Sequence, residues 1–199
     1  MKFLQGWSLT VVAATAVVLI ALAVLWRDGL TTDALRLIIR ITARTSLVLF
    51  SMAFTAASLV RWRSNVWTRW QMKNRRYLGV AFAASHLVHA GAIIGFAVLD
   101  PELFDRQTTL LGLVGGLAGY GVLIAMTATS FDGAAAWLGA RAWKRLHTVG
   151  SYYLWFIFGF TFLPRTAVDT SYWLPVGVVL AAMVIRISDE IARHYRLRA

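Results

Sequence analysis

The chain has no cysteine. That excludes disulfides, iron–sulfur clusters, thiolate haem ligation and thiol catalysis. Charge is also scarce: 15% of the 199 residues are Asp, Glu, Lys or Arg, where a soluble domain carries about 25%. Lysine stands only at Lys2, Lys73 and Lys144. All three flank apolar runs, so no run offers a central amine for a retinal Schiff base. The runs also lack paired carboxylates, because Asp and Glu fall in links, loops and the tail. A proton-coupled transporter would often place such groups at membrane depth. The sequence has no nucleophile–base arrangement and no Walker-type phosphate loop.

What the chain has in abundance is apolar length. Hydrophobic residues make up 59% of it, gathered in runs at 8–26, 35–60, 77–98, 109–129, 146–163 and 172–185. The first four approach the roughly 20 residues that cross about 30 Å of hydrocarbon; the last two are shorter. The expected fold is all-α, a six-helix transmembrane bundle forming one domain over 1–199 in the lipid bilayer. The first run is too long for a signal core and meets no clear cleavage site, so it reads as a retained helix.

Net charge is +11. In a soluble protein that points to nucleic acid; here the charge sits between the apolar runs and sets topology, with no nucleic-acid partner. The loop 61–76 holds six basic residues interleaved with Trp62, Trp67 and Trp70, as at a headgroup boundary. With the termini inside, 14 of the 20 Lys and Arg residues fall on that side. The positive-inside rule then places both termini in the cytoplasm, in a bacterial-type inner membrane. A short interfacial helix with Trp137 is expected at 134–138.

Four histidines occur, and His86 and His89 lie well inside the third run. Ionisable groups at membrane depth are functional suspects by default. Three residues apart, the two share a helix face. His147 opens the fifth run, and His194 lies in the basic tail as a solvated residue. Imidazole is a common axial ligand of haem iron, so one haem b between the third and fifth helices is expected. His86 and His147 are the first-choice ligands, with His89 as alternate to His86. His86 lies ten residues past Arg76 and His147 two past Arg145, about 15 Å and 3 Å along their helices. One ring needs its ligands at similar depth, so the fifth helix must start deeper or Lys144 and Arg145 must snorkel. Arg36, Arg40 and Arg44 share a face at intervals of four. They read first as an interfacial anchor; alternatively Arg44, the deepest, clamps a haem propionate, a quinone carbonyl or an acidic partner. Gly112, Gly115, Gly116 and Gly119 permit close helix packing, or room for a flat porphyrin.

Arg75-Arg76-Tyr77-Leu78-Gly79 ahead of the third-run histidines, with Trp143-Lys144-Arg145-Leu146-His147 opening the fifth run, resembles the ferric reductase-like transmembrane superfamily. The resemblance covers roughly 61–162. It implies a six-helix b-type cytochrome that carries electrons across the membrane. His89 matches the third-helix ligand of the methionine sulfoxide reductase membrane subunit, His86 is nearer the NADPH oxidase position, and His147 matches the ligand opening helix five. The family's further helix-five histidine falls here on Phe160, and Leu99 and Asp100 stand where an outer third-helix histidine would be. The outer bis-histidine site is therefore incomplete, and one haem is implied. The chain carries no flavin or nicotinamide domain, so electrons come from a separate flavin reductase or a quinol, with an extracytoplasmic redox partner and a bound quinone as further expectations. Whether the chain reduces a substrate itself or relays electrons stays open. The competing expectation is a haem-free membrane scaffold or small-molecule carrier built on the same bundle.

Overall fold

A computed structural model describes residues 4–196, and Met1, Lys2 and the tail end at Arg198 lie outside them. Among the described residues every regular element is helical: α1 (Trp7–Asp28), α2 (Thr32–Trp62), α3 (Val66–Lys73), α4 (Arg75–Leu99), α5 (Pro101–Gln107), α6 (Leu110–Ala128), α7 (Asp132–Leu138), α8 (Ala140–Phe162) and α9 (Trp173–Arg196), with two 3-10 turns between α8 and α9. The six long helices match the six apolar runs. The short α3, α5 and α7 form in the links.

Local chemistry sets the boundaries. Thr31 caps α2, its hydroxyl accepting from the Ala34 amide at 3.2 Å. Asn65 and Thr68 form a reciprocal capping box on α3. Asp100 caps α5, where Pro101 fills the first turn without a wasted amide. Thr109 caps α6. Each such cap contributes about 1 kcal/mol. Gly139, at φ +78°, turns the chain between α7 and α8, a backbone region that disfavours other residues. α8 therefore begins six residues before the apolar run. α7 forms at the expected interfacial helix, two residues longer at its start.

Five helical stretches are long and apolar enough to cross a membrane: Trp7–Asp28, Thr32–Trp62, Arg75–Leu99, Leu110–Ala128 and Ala140–Ala167. They give a multi-pass integral membrane protein. α9 is apolar over 173–185, but its helix continues past the expected end through Arg186, Asp189, Glu190 and Arg193.

α2 organises the bundle. It packs along α4 on one flank and α9 on the other, while α1 lies on α4 and α6 pairs with α8. One core joins Phe50 and Phe54 of α2 with Phe82 of α4, Leu123 of α6, Phe158 of α8 and Val179 of α9. A second joins α1, the first turns of α2 and the far end of α4. The α6–α8 pair rests on small residues: a Cβ at Gly150 would lie 2.5 Å from Met126 Sδ, and Gly115 and Gly119 face Ile157 and Tyr153. Gly115 and Gly119 thus serve helix packing, whereas Gly116 faces open space and Gly112 meets only Thr109 of its own cap. The Tyr153 hydroxyl donates to the Gly115 carbonyl across the same seam at 3.0 Å.

Candidate functional site

α4 and α8 make little close backbone contact; ring side chains span the space between them. The His86 imidazole stands at its centre, with ring centroids 5.1 Å from Phe82, 5.3 Å from Tyr120 and 6.0 Å from Phe158. His89 stacks on it at 5.0 Å. Helical spacing brings the two histidines together as expected. His86 Nδ1 is buried with no hydrogen-bond partner.

His89 is held differently. Its Nδ1 lies 2.9 Å from Thr42 Oγ1 and 3.1 Å from the Ile39 carbonyl, both on α2. A carbonyl accepts only. The Thr42 hydroxyl is 2.6 Å from the Ile38 carbonyl, which takes its proton, so towards His89 it also accepts. Two acceptors at Nδ1 put the imidazole proton there and leave the lone pair on Nε2. Metal-binding histidines are held this way, by a partner on the second nitrogen that fixes the tautomer.

His147 lies elsewhere. It stacks on Trp143 at 4.3 Å, and its Nε2 is 3.1 Å from Thr129 Oγ1. The Thr129 hydroxyl gives its proton to the Ala125 carbonyl at 2.8 Å, so it accepts from His147 Nε2–H. That nitrogen is engaged as a donor. Along α8, the residue facing His86 is Phe158, eleven positions beyond His147, about 16 Å at 1.5 Å per residue. Along α6 the offset is nine positions, from Tyr120 beside His86 to Thr129 beside His147, about 14 Å. The early start of α8 lengthens the helix on the side away from His86, and so does not lift His147 to its level. His86 and His147 stand at different levels of the bundle and so do not fit as the two axial ligands of one ring.

Arg44 leaves α2 two residues after Thr42, on the opposite flank. Its guanidinium donates to Ser171 Oγ at 2.9 Å and lies 5.2 Å from the centre of the Tyr172 ring. Asp169 accepts from the Ser171 amide at 2.8 Å; this bond and the Ser171 side chain hold its carboxyl below the usual range. Arg44 thus anchors α2 to the connection between α8 and α9. That connection is level with His89, so three of the four expected site residues lie toward one end of the bundle and His147 toward the other. Phe160, at the family's further histidine position, stacks on Phe156 and is 39% exposed, on the flank away from His86.

Thr42 and Asp189 escaped sequence reasoning. Thr42 and Ser46, four apart in an apolar run, carried a signal: both are buried, and Ser46 donates to Ser85 of α4 at 2.9 Å. Asp189 falls in the basic tail by sequence; it is 1% exposed, accepting from Ser58 at 3.0 Å and from Arg61 through two guanidinium nitrogens. Among the described residues, no group of three or more His, Cys, Asp or Glu side chains forms a metal cluster. In comparisons with protein-family models, curated proteins and solved structures, nothing matched the chain.

Proposed function

We propose that the chain is a membrane b-type cytochrome, a redox subunit or small reductase, whose six long helices cross a bacterial-type inner membrane with both termini in the cytoplasm. The observation that carries this reading is the state of His89: Nδ1 is tied to Thr42 and the Ile39 carbonyl, and Nε2 is free as an electron-pair donor. His89 would hold the haem from α4, with Phe82, Tyr120 and Phe158 supplying apolar and aromatic walls around the neighbouring His86. Bound haem supplies one-electron transfer. The protein's own part is to fix the imidazole, exclude water from it, and place Arg44 at the same end, where an anionic group or an extracytoplasmic redox partner would meet it. A quinone carbonyl is a further candidate for that guanidinium. Electrons would enter from a separate flavin reductase or a quinol.

The test is the reduced-minus-oxidised spectrum of the purified protein with haem counted per chain, repeated for His86→Ala, His89→Ala and His147→Ala. We expect a b-type spectrum at about one haem per chain, lost in His89→Ala and kept in His147→Ala. Loss in His147→Ala with retention in His89→Ala would reverse the assignment. Colourless, folded protein from haem-replete cells would favour the second reading, a haem-free scaffold or carrier. The observation behind that alternative is the packing itself, since rings span the space between α4 and α8.

A further inference from the structure

We propose that Thr42 is a positioning residue that, together with the Ile39 carbonyl, fixes the proton of His89 on Nδ1 and so keeps Nε2 as the electron-pair donor. The inference rests on the reading of His89 as an axial ligand but concerns the chain's own chemistry, so it is tested without any cofactor.

An imidazole side chain left to itself favours the tautomer with the proton on Nε2, the nitrogen a metal would need. Something must reverse that preference. Thr42 is suited to do so because its own proton goes to carbonyls of its own helix, Ile38 above all and Ile39 at 3.2 Å. Its hydroxyl is 2.6 Å from the Ile38 carbonyl of the preceding turn, and the residue is 2% exposed. With that proton committed, the oxygen presents only lone pairs to His89, at 2.9 Å. The Ile39 carbonyl, 3.1 Å from the same nitrogen, adds a second acceptor. Water does not compete at a buried oxygen, so the arrangement favours one tautomer more than the same contacts would in solvent. The neighbouring His86 supplies an internal contrast: its Nδ1 is buried without a partner, so no acceptor there holds a proton on that nitrogen.

The experiment is nitrogen-15 NMR of histidine-labelled, haem-free protein in detergent, as wild type, Thr42→Val and Thr42→Ser, with His89→Ala to assign the signal. Valine keeps the shape of threonine and removes the acceptor; serine keeps the acceptor. The wild type should show His89 protonated on Nδ1 and bare on Nε2. Thr42→Val should move the population toward Nε2–H, because only the longer Ile39 contact remains, and Thr42→Ser should restore it. In haem-loaded protein Thr42→Val should weaken haem retention by about tenfold or more, the usual size of a second-shell loss, and raise the reduction potential as the imidazole loses basicity. A wild-type His89 with its proton on Nε2, or a Thr42→Val signal identical to wild type, would overturn the inference. The two readings separate cleanly. Colourless protein with His89 held as Nδ1–H retires the cytochrome and keeps Thr42 in its role; haem-bearing protein whose His89 ignores Thr42 does the opposite.

Discussion

Phe158 of α8 faces His86 of α4 with ring centroids 6.0 Å apart at 74°. That spacing is about what two imidazoles adopt when they share one metal ion through bonds of roughly 2 Å. Phe158→His should therefore create a paired site, and Phe160→His should not, because Phe160 lies on the other flank. Calorimetric titration with Zn²⁺ in detergent should show affinity raised at least about tenfold, a gain of about 1.4 kcal/mol, in the first variant alone. Equal affinities in both variants would mean that α8 presents a different face to α4.

Gly150 sets how closely α8 approaches α6. An added Cβ would meet Met126 Sδ at 2.5 Å and Val122 Cγ1 at 2.9 Å. Met126 is flexible, but Val122 is β-branched and stiff, so Gly150→Ala should cost about 2 kcal/mol, whereas Gly150→Leu overpacks the seam further and should cost about 3 kcal/mol. Thermal unfolding in detergent, followed by intrinsic tryptophan fluorescence, should rank wild type above Gly150→Ala above Gly150→Leu.

The pairing of Asp189 with Arg61 and Ser58 joins α9 to α2. Breaking a buried pair costs roughly 3–5 kcal/mol; with the Arg61 side chain 38% exposed, about 2 kcal/mol is expected for Asp189→Asn. The hydrogen bonds from Arg61 also hold the Asp189 carboxyl, one turn beyond the apolar stretch of α9, below its usual range. A depressed folded value means stability that is fully present above the unfolded pKa of about 3.9 and is lost as pH falls through the folded one. The wild type should thus lose Tm on acidification below about pH 4, and the Asp189→Asn variant should lack that part of the acid limb.

Asn74 is fully buried, and its side chain accepts from the Gly6 amide at 2.8 Å while donating to the Trp70 carbonyl at 2.8 Å. It ties the start of the chain to the turn between α3 and α4. Asn74→Ala would leave the Gly6 amide without this acceptor, at about 1–3 kcal/mol, while the Trp70 carbonyl keeps the backbone amide of residue 74 at 3.0 Å. Hydrogen exchange should accelerate at residues 6–10 with little change in α6 and α8; uniform acceleration would show that the contact supports the whole bundle instead.

The bundle was legible in the sequence because each long helix is an apolar run, and runs are local. Its ends were less so. α8 was expected to begin where hydrophobicity begins, yet a helix continues as long as its backbone is satisfied, and Gly139 rather than polarity stops it. α9 was cut at Ile185 for the same reason: Asp189 reads as solvated until Arg61, far away in sequence, is seen to neutralise it. The histidine pair was visible as spacing on one helix. Registry between α4 and α8 was not, because no local rule states which residue of one helix stands level with another. The sliding of eleven positions that puts Phe158 where His147 was expected is such a registry fact. Thr42 became meaningful only when α2 and α4 were seen to lie side by side.

The contact between Ser58 and Asp189 spans 131 positions of chain. A ribosome adding about 5–20 residues per second needs on the order of ten seconds to travel that distance. Through that interval α2 waits in the membrane with Arg61 unneutralised and the flank that α9 will cover open to lipid or to other proteins. The carboxylate that closes this flank arrives only with α9. An insertase or membrane protease able to sense an unpaired guanidinium at the bilayer edge would therefore distinguish chains in which α9 has docked on α2 from chains in which it has not.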